Sequence, residues 1–347
     1  NLRCHHLAWY TMEGEAKRDF PASISYQSAW WRDYGKVETY FSRLGVILSR
    51  GRPVCDLLVL HPVESVWCQI HPGWSRMLAG QSEAVRRLER HFADTFRWLA
   101  GAQIDFDYGD EEMMSRLSAV EKEESGAAVL RVGQAVYRAV LVTGMTTMRA
   151  STLRLLEAFR EAGGRVIFAG EAPPYLDAVP SAAPGMLADS SERVPFDRQE
   201  LVAAVRRAVP VPARVQDAGS GQPVEDVYMQ ARRDGDTCYV VLMNMDRKAW
   251  RRNVEIRLPS ANAVEEWSCA TGERSAVRTT ALEDGGVSFV TDFPPSGEHV
   301  YVLTETSARA PVSRIGMPSV VRYAEKASIE VPGPYAYRLD EPNVCVL

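Results

Sequence analysis

The chain has 347 residues, 46% hydrophobic and 24% charged, with 40 Lys plus Arg against 45 Asp plus Glu and a formal net charge of −5. That length admits two or three domains, and the composition is that of an ordinary globular protein, not a disordered one. The acidic balance argues against a general nucleic-acid binder, and no apolar run approaches the roughly 18–20 residues of a membrane span.

Residues 1–31 interleave His5, His6, Trp9, Tyr10, Tyr26, Trp30 and Trp31 with a charged stretch at 13–19. They read as a short strand and a long ordered loop, and long loops inside compact domains tend to be functional. Aromatic faces stack on the C–H faces of sugar rings, while His, Arg, Asp and Tyr hydrogen-bond hydroxyls. A sugar site and a loop packed by Trp30 and Trp31 against a helix are both open readings. Over 33–50, Val37, Tyr40, Phe41, Leu44 and Leu48 recur at helical spacing, with Gly51 as the stop.

From 53 to 218 strands and helices alternate. The continuous apolar run 54–61 predicts a strand buried on both faces. Ser82 caps a helix with the stripe Val85, Leu88, Phe92, Phe96 and Leu99. Short strands are expected at 104–106, 139–143 and 165–169, the last two ended by Gly144 and Gly170. Between these two, Leu153, Leu156 and Phe159 mark a helix. Asp197 and Glu200 form a capping box before Leu201, Val205 and Val209. This alternation implies βαβ units and a parallel sheet.

The parallel-sheet block carries no cofactor signature. His61-Pro62-Val63-Glu64-Ser65 follows the first strand without a glycine, so the dinucleotide fingerprint is missing, as is a P-loop. Thr143-Gly144-Met145-Thr146-Thr147 occupies the place of a nucleophile elbow but holds no Cys or Ser. The acidic run 105–112 lacks calcium-loop spacing and suits a helix N-terminus. The domain is expected to be chemically idle, with no cofactor and no metal.

From 219 to 306 the period shortens. Strands are expected at 224–231, 237–244, 253–258, 263–268, 287–291 and 299–304, with turns at Asp234-Gly235-Asp236 and Asp284-Gly285-Gly286. This predicts a small antiparallel β-sandwich. Residues 307–347 read as a linker leading to the first strand of a further β domain. Cys4, Cys55, Cys68, Cys238, Cys269 and Cys345 form no CxxC pair and are expected as free thiols, which favours the cytoplasm. The first residue is Asn1 and both ends are apolar, so both are expected to be cut from a longer chain.

The run His6-Leu7-Ala8-Trp9-Tyr10-Thr11-Met12-Glu13-Gly14-Glu15-Ala16-Lys17-Arg18-Asp19-Phe20-Pro21 resembles the segment after the last strand of a (β/α)₈ glycoside hydrolase. So does Ser25-Tyr26-Gln27-Ser28-Ala29-Trp30-Trp31 with the helix through Tyr40, Ser42, Arg43 and Leu44. The family comprises bacterial enzymes allied to β-galactosidases and α-L-rhamnosidases. Their barrel is followed by a flavodoxin- or amidotransferase-like domain, which 57–62 and 139–144 resemble, and then by β domains; 338–343 resembles the start of one. The resemblance implies that residues 1–52 end a barrel, 53–218 form the flavodoxin-like domain and 219–306 the β-sandwich. It implies a carbohydrate substrate bound by His6, Trp9, Tyr10, Arg18, Asp19 and Trp30, and the rest of the same polypeptide as partner; a homo-oligomer is compatible with it. Such enzymes cleave with two carboxylates, which in this family lie upstream, so Glu13 and Glu15 are not assigned as catalysts and no catalytic residue is expected here. The expected function is part of a glycoside hydrolase, inactive alone. The alternative is a non-catalytic structural or carbohydrate-binding module.

Overall fold

The computed structural model describes residues 30–70, 82–259, 261 and 263–304, and all structural statements concern these. The first half runs through α1 (Tyr34–Ser49), β1 (Arg52–Pro53), β2 (Leu57–Leu60), α2 (Val63–Trp67), α3 (Glu83–Gly101), β3 (Phe106–Gly109) and α4 (Glu111–Leu117). A meander follows, β4 (Ser118–Lys122), β5 (Ala128–Val132) and β6 (Ala135–Tyr137), leading into β7 (Ala139–Thr143), β8 (Thr147–Met148) and α5 (Ala150–Glu161). Then come β9 (Arg165–Ala169), β10 (Tyr175–Leu176), β11 (Val179–Pro180), α6 (Ala183–Asp189), β12 (Glu192–Val194) and α7 (Arg198–Ala208).

Five of these strands form one wholly parallel sheet in the order β12-β9-β7-β2-β3. The alternation of side chains along each strand divides its apolar residues between two cores. Leu58, Leu60, Val140, Val142, Val166 and Phe168 pack with α5, α6 and the meander. Leu57, Val59, Leu141 and Ile167 pack with Leu99 of α3 and Leu201, Ala204 and Val205 of α7. Burial on both faces is why these strands read as unbroken apolar runs.

The second half is antiparallel: β13 (Arg214–Asp217), β14 (Val227–Asp234), β15 (Thr237–Asn244), β16 (Arg251–Leu258), β17 (Ala263–Trp267), β18 (Arg274–Ala276), β19 (Thr280–Ala281), β20 (Val287–Phe293) and β21 (Glu298–Thr304). One sheet has the order β1-β14-β15-β21-β17-β18, the other β13-β16-β20-β19. The two share a core in which Ala231, Val240, Leu242, Tyr301 and Leu303 meet Val215, Val254, Ile256, Phe289 and Phe293. Asp234 pairs with Thr237 across the two-residue turn Gly235-Asp236, as a tight hairpin requires.

The outer face of the six-stranded sheet is not left to water. Tyr239, Val241, Val300 and Val302 are covered by Tyr40, Leu44, Ile47 and Leu48 of α1. The helix expected to close a barrel is therefore seated on the β unit. Arg43 donates to the carbonyls of Cys269 (2.9 Å) and Ala270 (2.7 Å), and Arg232 donates to those of Arg50 and Gly51. Gly51 turns with φ +50°, and a Cβ there would lie 1.9 Å from the Arg233 carbonyl oxygen.

Several expected bounds shift for identifiable reasons. The run 54–61 is a strand only over Leu57–Leu60, because the Val54 N–H donates to Ala231 and so belongs with β14. The strand expected at 224–231 is Val227–Asp234, and the one expected at 104–106 starts at Phe106 because the Ile104 N–H still closes the end of α3 onto Leu99. The meander over 118–137 was not expected; its strands are short, and the buried run Ala128-Val129-Leu130 shows no alternation. Val37 and Phe96, placed on buried stripes by their spacing, are 41% and 43% exposed. Cys55, Cys68, Cys238 and Cys269 are free thiols; Cys4 and Cys345 lie outside the described residues. Among the described residues, no helix is long and apolar enough to cross a membrane.

Candidate functional site

Of the residues expected to touch sugar, His6, Trp9, Tyr10, Arg18 and Asp19 lie outside the described residues, as do Glu13 and Glu15. Trp30 is described, at the mouth of α1. A single 3₁₀ turn, Trp31–Asp33, leads into the helix. Trp30 lies 5.4 Å from the Tyr34 ring, and Trp31 stacks nearly parallel to Tyr34 at 6.5 Å. Both indoles remain about two-fifths exposed, at 42% and 44%. The two indoles present flat aromatic faces to solvent. Their position is fixed through α1, hence by the β unit and Arg43.

The second place to look is the carboxyl edge of the parallel sheet, where folds of this class bind ligands. Here four backbone donors that face this edge already have side-chain partners. The Arg149 N–H donates to Glu111 Oε1 (2.9 Å) and the Ala150 N–H to Asp177 Oδ1 (3.0 Å), which satisfies the start of α5. The N–H groups of Thr146 and Thr147 both donate to Ser65 Oγ (2.9 and 3.2 Å). Glu111 and Ser65 are buried. Burial holds the Glu111 carboxyl above its ordinary range, and the Arg149 N–H pulls it partly back. The side chain of Arg149 pairs with Glu64 at 2.5 Å. The protein's own side chains thus occupy donors of the β7–β8 turn and two at the start of α5.

The elbow after β7 is equally closed. Gly144 adopts φ +62°, and a Cβ there would come within 2.8 Å of His91 Cβ. His91 stacks on Phe196 at 4.0 Å, and burial, followed by the nearby Arg87 charge, depresses its pKa. It faces glycine, not a nucleophile. Cys55 sits 3.6 Å from Asp107, whose carboxylate also accepts from Tyr137 Oη at 2.8 Å. Burial, then the charges of Asp107 and Asp105, drives this thiol far above its usual range, so it is no thiolate nucleophile. Among the described residues, no group of three or more His, Cys, Asp or Glu side chains could hold a metal ion.

Two clefts lie between the parallel-sheet unit and the β unit. One, of about 650 Å³, is walled by Arg52, Asp56, Arg138 and Arg233 with several prolines. The other, of about 530 Å³, contains Trp98, Tyr228, Arg198, Glu225, Asp226 and Arg251. In the second, Glu225 is held by Arg198, and Asp226 by Arg251, which also reaches Asp246 at 2.9 Å. The Glu225–Arg198 pair bridges the two units, whereas Asp226 and Asp246 hold Arg251 within the β unit. Neither the clefts nor the capping by Glu111, Asp177 and Ser65 was foreseen, since each joins segments far apart in sequence; only the acidic start of α4 left a local signal, at Asp110 to Glu112.

No protein-family model and no curated protein matches the sequence. Among solved structures, the chain is similar in fold to a rhamnosidase from Novosphingobium sp. PP1Y, at 17% identity and a TM-score of 0.57, over 85% of this chain and 27% of that one. It is also similar to a GH42 β-galactosidase from G. stearothermophilus, at 11% identity and a TM-score of 0.51, over 86% of this chain and 48% of that one. The chain thus spans about a quarter of the first and about half of the second.

Proposed function

We propose that this chain is an accessory part of a glycoside hydrolase, carrying the end of a (β/α)₈ barrel over 1–52, a flavodoxin- or amidotransferase-like domain over 53–218 and a small β-sandwich over 219–306. The observation that carries the reading is the fold likeness over 85% of the chain to a segment of a rhamnosidase. The strand order β12-β9-β7-β2-β3, which is 2-1-3-4-5 along the chain, supports the flavodoxin-like assignment. The side chains occupying donors at the carboxyl edge of that sheet support a scaffold role, without flavin or nucleotide.

The substrate is a carbohydrate, met by His6, Trp9, Tyr10, Arg18, Asp19 and Trp30. Loops at the carboxyl ends of barrel strands build the active sites of this architecture. His6 follows the presumed last strand, and an imidazole can donate to and accept from a hydroxyl. Trp30 adds an apolar face. The catalytic carboxylate pair is supplied by upstream chain.

A panel of nitrophenyl glycosides tests this on two samples, the 347-residue chain and the complete natural polypeptide containing it. We expect turnover only from the complete polypeptide, and His6→Ala there to lower kcat/KM at least about threefold to tenfold with the melting temperature unchanged. Turnover by the chain alone would place the carboxylates within it. A complete polypeptide that neither cleaves nor binds any glycoside would overturn the reading. The exposed Trp30 and Trp31 also suit the alternative, a carbohydrate-binding module, which predicts sugar binding by the chain alone.

A further inference from the structure

The core between the two antiparallel sheets contains a buried histidine in contact with a carboxyl group, which the sugar chemistry does not use. His299 is 2% exposed and points inward from β21, on the same face as Tyr301 and Leu303. Its Nδ1 lies 2.5 Å from Glu266 Oε1 on β17, and its Nε2 lies 3.0 Å from the Asp292 carbonyl oxygen on β20. Glu266 belongs to the six-stranded sheet and Asp292 to the four-stranded one, so a single ring joins both layers.

The partners decide how many protons the ring carries. A backbone carbonyl only accepts, so Nε2 must donate. An ionised carboxylate also only accepts, so Nδ1 must donate as well. A neutral imidazole has one N–H and would set a lone pair against one of these oxygens. The Glu266 side chain keeps 23% of its surface open to water, whereas the His299 side chain keeps 1%. We infer that His299 is a permanent imidazolium at neutral pH, paired with the Glu266 carboxylate, and that this cation bolts the two sheets together until alkaline pH removes its proton.

The surroundings agree. Charged groups near the ring include Asp292 and Glu298. The Asp292 carboxylate accepts from the Asn253 N–H at 2.7 Å and lies 3.6 Å from Arg252. Glu298, next in sequence, accepts from Tyr40 of α1. The ring of Phe293 lies edge-on at 4.6 Å, the ring of Tyr301 stacks at 5.8 Å, and Leu242 stands opposite in register on β15. Burial alone would lower the pKa of His299, but the hydrogen bond and charge of Glu266 and the Asp292 carbonyl outweigh it and the net shift is upward.

The direction of the pH effect follows. Below about pH 6.5 the unfolded chain is protonated too, so the stabilisation is fully present. Above it, the folding equilibrium loses up to about tenfold per pH unit until the folded state releases its proton. The same strand carries Val300 and Val302 under α1, so loosening β21 also loosens the seat of Trp30 and Trp31.

Ring-nitrogen NMR of the intact 347-residue chain, labelled with ¹⁵N-histidine, tests the inference. His299 is assigned by the signal lost in Glu266→Gln, whose amide can donate to an unprotonated Nδ1 and so accommodates a neutral ring. At pH 7.5 both nitrogens of His299 should be protonated in the wild type and only one in Glu266→Gln. Melting midpoints from pH 6.5 to 9.5 should fall more steeply for the wild type than for this variant. A neutral His299 tautomer at pH 7, or parallel melting curves, would overturn the proposal. Both readouts are independent of whether the chain belongs to a glycosidase.

Discussion

The parallel-sheet unit and the β unit solve the same problem, polar groups inside a fold, in opposite ways. In the parallel unit the strands are apolar on both faces and polar side chains are kept to the rim. There, Ser65, Glu111 and Asp177 satisfy backbone donors at helix starts and loops. In the β unit a charge enters the core, where His299 connects Glu266 to the Asp292 carbonyl. Rim capping leaves the core dependent on packing alone. A charge inside ties the core to pH, because a buried ion must keep its partner.

The largest expected effect probes packing. Phe168 is fully buried in the middle of the parallel sheet, against α5 and α6. Phe168→Ala should cost about 3–5 kcal/mol, read as an earlier urea transition of the parallel unit, with the ring shifts of His299 unmoved. Shifts that move with it would mean that the two units melt as one.

The next probes a carboxyl that the parallel unit buries at cost. Burial pushes Asp105 up to about 6, against a hydrogen bond from the Phe106 N–H. An acid with a raised folded pKa favours folding when protonated, so stability falls as pH rises from about 4 to about 6 and stays lowered above. Asp105→Asn keeps an acceptor and should gain on the order of 2 kcal/mol at pH 7, and nothing at pH 4. The β unit is expected to show the opposite end of the scale, losing stability above pH 6.5.

A smaller effect concerns the seat of α1. Arg43→Ala removes two charge-assisted hydrogen bonds to carbonyls at the tip of the β17–β18 hairpin. It should cost about 1 kcal/mol, with faster amide exchange along α1 than along α3. Asp197→Ala removes the cap that accepts from Gln199 and Glu200 N–H, and should cost a similar 0.5–2 kcal/mol confined to α7, by the rule for N-caps. Equal exchange changes in both helices would break the assignment of α1 to the β unit.

The smallest is a surface pair. Glu83→Ala unties Arg86 and Arg90 at the exposed start of α3 and should leave the melting midpoint nearly unchanged. Its melting curve sets the scale against which the other variants are judged.

Much of this architecture was legible residue by residue. The runs at 54–61, 139–143 and 165–169 announced strands, the first covered on both faces, and Ser82 and Asp197 announced helix starts that they do cap. These signals are local: a period, a cap or a turn glycine acts over a few residues, and the chain states it directly. What only the tertiary structure decided is long-range. That α1 lies on the outer face of the β unit, that β1 joins β14, and that Glu111 and Asp177 close the start of α5 all depend on residues tens to hundreds of positions apart. The same holds for His299: nothing in its sequence neighbourhood distinguishes it from a surface histidine. Only the register of β21 beside β17 turns it inward against Glu266, and burial then fixes its proton.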